Sequence, residues 1–154
     1  MARAVIALGS NLGGREAFLD SAQTAIASLP GTTLLRTSRR YDTEPEGVPA
    51  EFQSLRFLNA AVLIRTTLAP EALLRALNAI EEKSGRVRTV RNGPRTLDLD
   101  IILYEGVTSS DPRLTLPHPR ASARSFVLAP LADLGFSAEM VAHNRFPADE
   151  EATP

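Results

Sequence analysis

Hydrophobic residues follow two periods along the chain, and these periods predict alternating strands and helices. Runs of β-branched and aliphatic residues predict strands at 3–9, 32–41, 57–67 and 96–104. Apolar residues at helical spacing predict a first helix over 15–29, which ends at Pro30-Gly31. A second helix begins near Pro70 and ends before Gly85. The order strand, helix, strand, strand, helix, strand predicts an α+β sandwich with a mainly antiparallel sheet.

The remaining segments have weaker patterns. Two prolines and a glycine interrupt every period in 43–54, so we expect a long loop there. Residues 113–134 predict a short strand followed by helical pieces that Pro130 breaks. The tail after about residue 146 is expected to fray. Since no repeat or linker divides the chain, residues 1–154 are expected to form a single domain.

Two carboxylates interrupt the apolar strand TLDLDIILY. Residues two apart on a strand point to the same face, so Asp98 and Asp100 project side by side, about 7 Å apart. The opposite face carries Leu97, Leu99, Ile101 and Leu103. Like charges this close repel each other, and a Mg²⁺ ion shared with substrate phosphates would relieve the repulsion. A half-solvated strand with acidic outer residues is the alternative interpretation.

The connector before this strand, RVRTVRNGPR, is rich in arginine. It contains Arg86, Arg88, Arg91 and Arg95. Four guanidinium groups outnumber the two carboxylates, so a ligand with several phosphates plus Mg²⁺ would balance the charge. Gly93-Pro94 combines a hinge with a rigid turn, which is compatible with a lid that closes over phosphates. The alternative is a structural ion-pair network between the arginines and the aspartates.

Composition and charge limit the classes of function. Hydrophobic residues make up 44% of the chain and charged residues 23%, there is no cysteine, and the net charge is −1. This balance predicts a globular, cytoplasmic protein without disulfides or thiolate chemistry. The N-terminal apolar stretch is too short for a secretory signal and no run reaches the length of a membrane span, so we expect no membrane partner. Without a global positive field we also expect no nucleic-acid partner, and a monomer by default.

Two rival classes of function use the same residues. One is an RNA-binding module, which the neutral charge, two tyrosines and absence of tryptophan disfavour. The other is a Mg²⁺-dependent nuclease or nucleotidyl transferase built on the same aspartate pair.

Four stretches of the chain resemble one family, the 6-hydroxymethyl-7,8-dihydropterin pyrophosphokinases of folate biosynthesis. They are ALGSNLG at 7–13, FLNAAV at 57–62, GRVR...GPRTLDLDI at 85–101 and LTLPHPR at 114–120, followed by Arg124 and Phe126. The resemblance implies a ferredoxin-like α/β/α fold. It also implies transfer of a diphosphoryl group from ATP to the hydroxymethyl oxygen of the pterin, with release of AMP.

The resemblance further implies roles for individual residues. Asp98 and Asp100 are similar to the ligands of two Mg²⁺ ions, and together with Arg88 and Arg95 they are the expected catalytic residues. The residues similar to ATP-binding positions are Asn78, Glu81, Arg86, Ile101, Arg113, Thr115, His118 and Arg124. The residues similar to pterin-binding positions are Thr43, Pro45, Glu46, Phe57, Asn59 and Phe126.

Several of these side chains have an ordinary structural alternative. Asn59 would read the donor and acceptor edge of the pterin, but it also fits a polar strand residue facing solvent. Phe57 and Phe126 would stack on the flat ring, although aromatic residues outside such a context usually belong to a core. Glu81 fits a solvated helix residue equally well. His118, alone, fits a rigid loop histidine packed for shape.

Overall fold

The structure is a computed structural model that describes residues 1–11, 14–43, 56–84 and 97–149. Its strands are β1 (Ala2–Ser10), β2 (Thr32–Thr37), β3 (Tyr41–Thr43), β4 (Phe57–Thr66) and β5 (Asp98–Tyr104). Its α-helices are α1 (Arg15–Ala27), α2 (Pro70–Lys83), α3 (Ser125–Asp133) and α4 (Ala138–Ala142). Within the described ranges, no helix has the length and hydrophobicity needed to cross a bilayer.

The strands form one sheet in the order β2-β4-β1-β5, and β3 also pairs with β4. Every described pairing is antiparallel. β1 and β4 lie at the centre, joined in register from Ala2 with Thr66 to Ser10 with Leu58. This arrangement confirms the predicted α+β class with a mainly antiparallel sheet. If β2 and β3 are counted as one interrupted strand, the order β-α-β-β-α-β is that of ferredoxin-like folds.

Helices cover both faces of the sheet, which produces an α/β/α sandwich. The first face packs against α1 and α2, whose buried residues are Leu19, Ala22, Ile26, Leu73 and Leu77. The second face is covered by α3, α4 and the segments around them, whose buried residues are Val127, Leu131, Leu134, Phe136 and Val141. Because successive strand residues point to opposite faces, β4 contributes Val62 to the first core and Leu63 to the second.

The strand β5 departs from simple alternation after Ile101, which pairs with Ile6 of β1. The next pair joins Leu103 to Val5, so Ile102 is the extra residue of a β-bulge. Leu103 consequently packs in the core of the second face. The prediction that Leu103 shares a face with Ile101 is therefore wrong, because the bulge reverses the alternation.

The predicted strand over 32–41 is divided into β2 and β3. Ser38 interrupts it, because its hydroxyl accepts a hydrogen bond from the Ala61 N–H at 2.8 Å while its own N–H donates to the Ala61 carbonyl at 2.9 Å. The short strand predicted at the start of 113–134 is reduced to an isolated bridge between Ser109 and Leu116. A side-chain hydrogen bond to the backbone, such as that of Ser38, competes with regular strand pairing.

The helix α3 continues through Pro130, although the sequence predicts a break there. A proline inside a helix removes one backbone hydrogen bond. In α3, Val127, Pro130 and Leu131 are all buried, and this burial offsets the lost bond. The weakly patterned tail forms α4, which begins where the Ser137 hydroxyl accepts a hydrogen bond from the backbone N–H of Met140 at 3.2 Å.

Two arginines hold residues 146–149 against the sheet. The Arg3 guanidinium donates to the Pro147 carbonyl at 2.8 Å and lies 5.3 Å from the centroid of the Phe146 ring. Arg65 forms an ion pair with Asp149. These contacts involve residues up to 149, whereas 150–154 lie outside the described residues, so the expected fraying of the tail stays a prediction.

The ion pair between Arg3 and Glu105 is expected to make stability depend on pH. Arg3 donates to the Glu105 carboxylate from Nε at 3.2 Å and from a terminal nitrogen at 2.6 Å, and these bonds lower the pKa of the Glu105 carboxyl. A lowered folded-state pKa stabilises the fold above the unfolded pKa of about 4.3, and this contribution is lost as pH falls through the folded-state pKa.

Denaturant unfolding of the wild type and Glu105→Gln between about pH 7 and pH 3 tests this dependence. We expect the variant to be less stable by about 1 kcal/mol at pH 7, a modest value because the carboxylate is partly exposed. The difference should shrink on acidification. A difference that is the same at every pH would contradict the assignment.

Candidate active site

The aspartate pair lies on the second face of β5, as the strand alternation predicted. Asp98 pairs with Gly9 of β1, and Asp100 pairs with Ala7. Asp98 is half-buried and Asp100 is exposed, whereas Leu99 between them points into the first core. The core thus anchors the strand from behind while both carboxylates face the α3 side of the sheet.

A row of residues crosses the sheet from β4 to β5 at the level of Gly9. Gly9 pairs with Asn59 on one side and with Asp98 on the other. A Cβ atom on Gly9 would lie 3.2 Å from Asn59 Oδ1 and 3.8 Å from Phe57 Cδ1, so both side chains occupy the space that the glycine leaves. Gly9 was not among the predicted site residues, although a glycine inside a strand is a signal of such close approach.

The Asn59 side chain has a fixed orientation. It is 9% exposed, and its Nδ2 donates a hydrogen bond to the Thr43 hydroxyl at 2.7 Å. Thr43 ends β3, which pairs with β4 at Asn59 and Phe57. The structure therefore brings three of the predicted pterin-binding residues together. It excludes the alternative in which Asn59 faces solvent, while Pro45 and Glu46 lie outside the described residues.

His118 lies near both Asp98 and Arg124, and Phe126 packs against the second core. The His118 N–H donates to the Ile102 carbonyl at 2.9 Å, which joins this segment to the free edge of β5. Burial is the main cause that lowers the pKa of His118; nearby Arg124 lowers it further and Asp98 opposes the change. The Arg124 guanidinium lies 5.4 Å from the centroid of the Phe126 ring. Burial therefore favours the neutral form of His118, which lies close to both a carboxylate and a cation.

Glu81 is buried between α2 and β5. It is 2% exposed, and its Oε2 accepts a hydrogen bond at 2.7 Å from the N–H of Leu99, the residue between the two aspartates. The alternative of a solvated helix residue is therefore wrong, because the free edge of β5 offers Glu81 a backbone donor. Asn78 lies one turn earlier on α2 and is half-buried.

The other predicted ATP-binding residues are more scattered. Arg113 is exposed, and its side chain pairs with Asp111 at 2.9 Å and with Glu71 at 3.5 Å. The Thr115 hydroxyl donates to the Asp111 carbonyl at 3.0 Å. The Ile101 side chain belongs to the first core, so any contact with ATP would have to use its backbone. The predicted arginines Arg86, Arg88 and Arg95 lie outside the described residues.

The donor set of the aspartate pair fits a hard divalent cation. Within the described ranges, no group of three or more His, Cys, Asp or Glu side chains is arranged to hold a metal ion. Two carboxylates alone are a typical protein contribution to Mg²⁺, whose shell is completed by substrate phosphates and water. The same pair fits zinc poorly, since zinc sites normally use three or four protein ligands.

Comparison with known proteins identifies close relatives. The family model described as 7,8-dihydro-6-hydroxymethylpterin-pyrophosphokinase (HPPK) matches residues 5–135. A 2-amino-4-hydroxy-6-hydroxymethyldihydropteridine pyrophosphokinase of Methylorubrum extorquens is 45% identical over 134 residues, which cover 87% of this chain and 83% of the relative. The protein of the same name from Pseudomonas aeruginosa is 48% identical over 132 residues, which cover 86% of this chain and 80% of the relative.

Solved structures agree on the fold. A crystal structure of Plasmodium falciparum HPPK-DHPS with pteroate matches 86% of this chain with a TM-score of 0.65 and 16% sequence identity. The matched part is 38% of that longer chain. At this level of identity the likeness concerns the fold alone.

Proposed function

The chain belongs to the 7,8-dihydro-6-hydroxymethylpterin-pyrophosphokinase family, and we infer that it transfers diphosphate from ATP to 6-hydroxymethyl-7,8-dihydropterin in folate biosynthesis. The structural observation that carries this inference is the row of Asn59, Gly9 and Asp98. Within it, an amide suited to the edge of a heterocycle lies two strands, or about 10 Å, from a carboxylate suited to the cation of a nucleotide.

The pterin would bind against the Asn59 amide and the Phe57 ring, which fill the space beside Gly9 where the sheet lacks a side chain. Asn59 presents donor and acceptor groups there, held by Thr43, and the segment with Pro45 and Glu46 continues directly from Thr43. Phe57 belongs to the same face as Asn59, and Phe126 packs against the second core from α3. Aromatic rings of this kind provide apolar surfaces for a flat bicyclic substrate.

The triphosphate would bind on the β5 side of the row. His118 is near both Asp98 and Arg124. The resemblance assigns Arg124 and the further arginines Arg86, Arg88, Arg95 and Arg113 to the triphosphate. Arginine suits this task because its planar guanidinium binds phosphate oxygens in pairs. The nucleoside part would contact Asn78, Thr115 and the backbone of Ile101. The buried Glu81 would support this contact indirectly, through its hydrogen bond from the Leu99 N–H.

In the reaction, a bond forms between the hydroxymethyl oxygen and the β-phosphorus while the bond from that phosphorus to the oxygen of the α-phosphate breaks. AMP leaves, and the proton of the hydroxymethyl group passes to solvent. The residues of the chain position the two substrates and neutralise charge, which is how proteins mainly accelerate phosphoryl transfer. Asp98 and Asp100 would hold two Mg²⁺ ions, which when bound neutralise phosphate charge. Arg88 and Arg95 would supplement them as cations in the transition state.

The test is to incubate the protein with ATP, Mg²⁺ and 6-hydroxymethyl-7,8-dihydropterin and to measure AMP. We expect AMP to form only when the pterin is present, in equal amount to pterin diphosphate, and to disappear when EDTA removes the cation. AMP formed without pterin would instead favour a nuclease or another nucleotide-hydrolysing enzyme. No AMP, together with tight binding of RNA, would favour the RNA-binding module.

A monomeric state, a cytoplasmic location and the absence of nucleic-acid and membrane partners complete the proposal. The net charge of −1 supports the absence of a polyanionic partner, because no global positive field attracts one. Light scattering of the purified chain would measure its mass directly.

A further inference from the structure

The strand β3 is short, and side chains supplement its backbone pairing; Asp42, for example, forms ion pairs with Arg15 at 3.1 Å and with Arg56 at 2.8 Å. The strand contains only Tyr41, Asp42 and Thr43, and these pair with three residues of β4. Yet Thr43 orients the Asn59 amide, so a displacement of β3 would be transmitted to the proposed pterin edge. Side chains that anchor β3 therefore matter for the site.

Tyr41 is anchored to the last residue of α3. Its hydroxyl donates to Asp133 Oδ2 at 2.9 Å. Arg39 completes the cluster, since its backbone N–H donates to Oδ2 at 2.9 Å and its guanidinium donates to Oδ1 at 3.0 Å. Together these bonds lower the pKa of Asp133 to about 2, chiefly through Arg39, so the carboxylate stays ionised at any working pH.

The position of Asp133 indicates that this cluster has a purpose beyond helix stability. A carboxylate at the C-terminal end of a helix is unfavourable, because the helix dipole is negative there. The chain nevertheless places an aspartate at this end and compensates it with Arg39 and Tyr41. Phe126 stands in the first turn of the same helix, about 10 Å away along its axis.

We propose that Tyr41 and Asp133 are positioning residues that fix α3 against β3 and thereby set the separation between Phe126 and Asn59. Tyr41 is itself the partner of Asn59 in the β3–β4 register, so the hydrogen bond to Asp133 joins the strand position of the amide to the helix of the aromatic ring. The proposal rests on the proposed function, because it assigns the pterin to the space between these two residues.

The chain offers a matched pair of variants, because it has only two tyrosines, Tyr41 and Tyr104. The Tyr104 hydroxyl donates to the Leu68 carbonyl at 2.5 Å near the opposite end of the sheet, where Tyr104 pairs with Ala4. Tyr41→Phe and Tyr104→Phe therefore each remove one hydroxyl hydrogen bond and keep the ring. One change lies beside the proposed site and the other far from it.

Steady-state kinetics should separate the two variants. Tyr41→Phe and Asp133→Asn are each expected to raise KM for the pterin about three- to tenfold, the range of one hydrogen bond, with KM for ATP and kcat within about twofold. Asp133→Glu should restore part of the loss. The double variant should be less affected than the product of the single effects, because both changes break the same bond. Tyr104→Phe should leave both KM values unchanged.

A spectroscopic measurement tests the bond independently of activity. In Tyr104→Phe, Tyr41 is the only tyrosine, and burial together with the bond to Asp133 raises the pKa of its phenol. Adding Asp133→Asn should lower that pKa when tyrosinate absorbance is followed with rising pH. A pKa of Tyr41 that Asp133→Asn leaves unchanged would overturn the proposed hydrogen bond between Tyr41 and Asp133.

The outcomes distinguish this inference from the proposed function. A wild type that forms no pterin-dependent AMP overturns both. An active wild type whose Tyr41→Phe variant keeps its KM for the pterin overturns the positioning role alone, and so does a Tyr104→Phe variant that loses pterin affinity equally. If Tyr41→Phe keeps its KM for the pterin, the hydrogen bond between Tyr41 and Asp133 serves only the stability of the fold.

Discussion

Asp98→Asn and Asp100→Asn are each expected to lower kcat by at least about 10²- to 10³-fold, a loss typical of removing one group that stabilises transition-state charge. Both carboxylates lie on one face of β5, and in the proposed function they hold the cations that neutralise the triphosphate. An asparagine keeps the shape of the side chain but loses its charge, so it binds a hard cation much more weakly. The change is measured as pterin-dependent AMP formation at saturating ATP, pterin and Mg²⁺.

The fold should survive these substitutions. Leu99 and Ile101 anchor β5 in the first core, and neither aspartate side chain belongs to that core. Thermal unfolding should therefore show midpoints close to that of the wild type. Glu139→Gln is a suitable control, because Glu139 is an exposed acid on α4 that pairs only locally with Arg145 among the described residues, and it should leave turnover unchanged. Near-normal AMP formation by either aspartate variant would contradict the cation-binding role.

The geometry of a single strand was enough to predict the aspartate pair. Alternation alone puts Asp98 and Asp100 on one face, and it needs no knowledge of the rest of the fold. The same rule failed for Leu103, because the bulge at Ile102 depends on the register with β1, which no local pattern encodes. Strand alternation is thus reliable only up to the first irregularity of the ladder.

The roles of Glu81 and Gly9 at the site could not be predicted from the sequence, because they depend on contacts between distant segments. The pattern around Glu81 allowed either a nucleotide contact or a solvated residue, and its partner, the Leu99 N–H, comes from a different element. Gly9 matters at the site because β4 lies beside it and brings the Asn59 side chain next to the position where a Cβ atom of residue 9 would lie. In both cases a contact with a distant segment determines the role of the residue at the site, and local sequence propensity does not predict that contact.

Burial also overrode local signals in the C-terminal third. Pro130 is a strong helix breaker by itself, yet α3 persists because its buried face packs on the second core. The short helix α4 has a detectable start, since Ser137 is a typical N-cap residue, but its five residues are too few for a clear apolar period. The sequence therefore predicts the long elements of this fold better than the short ones that close its second face.

Asn59→Leu is expected to reduce kcat/KM for the pterin by about 10²-fold or more, with KM for ATP changed less than about twofold. Asn59 is held over Gly9 by its hydrogen bond to Thr43, so its amide is preorganised toward the space where the pterin would bind. Leucine has a similar volume but no polar atoms, and it would leave the donors and acceptors of the heterocycle unpaired on binding. Initial rates with each substrate varied in turn measure the two constants.

A graded series of variants around the Asn59 amide separates hydrogen bonding from shape. Thr43→Val removes the acceptor that orients Asn59 but leaves the amide, so its loss should be intermediate. Gly9→Ala would place a Cβ atom 3.2 Å from Asn59 Oδ1 and shift the amide by tenths of an ångström, which should also cost less than Asn59→Leu. If Asn59→Leu instead raised KM for ATP and spared the pterin, the amide would belong to the nucleotide side. The order of these three losses therefore tests whether the row across β4, β1 and β5 binds the pterin at its Asn59 end.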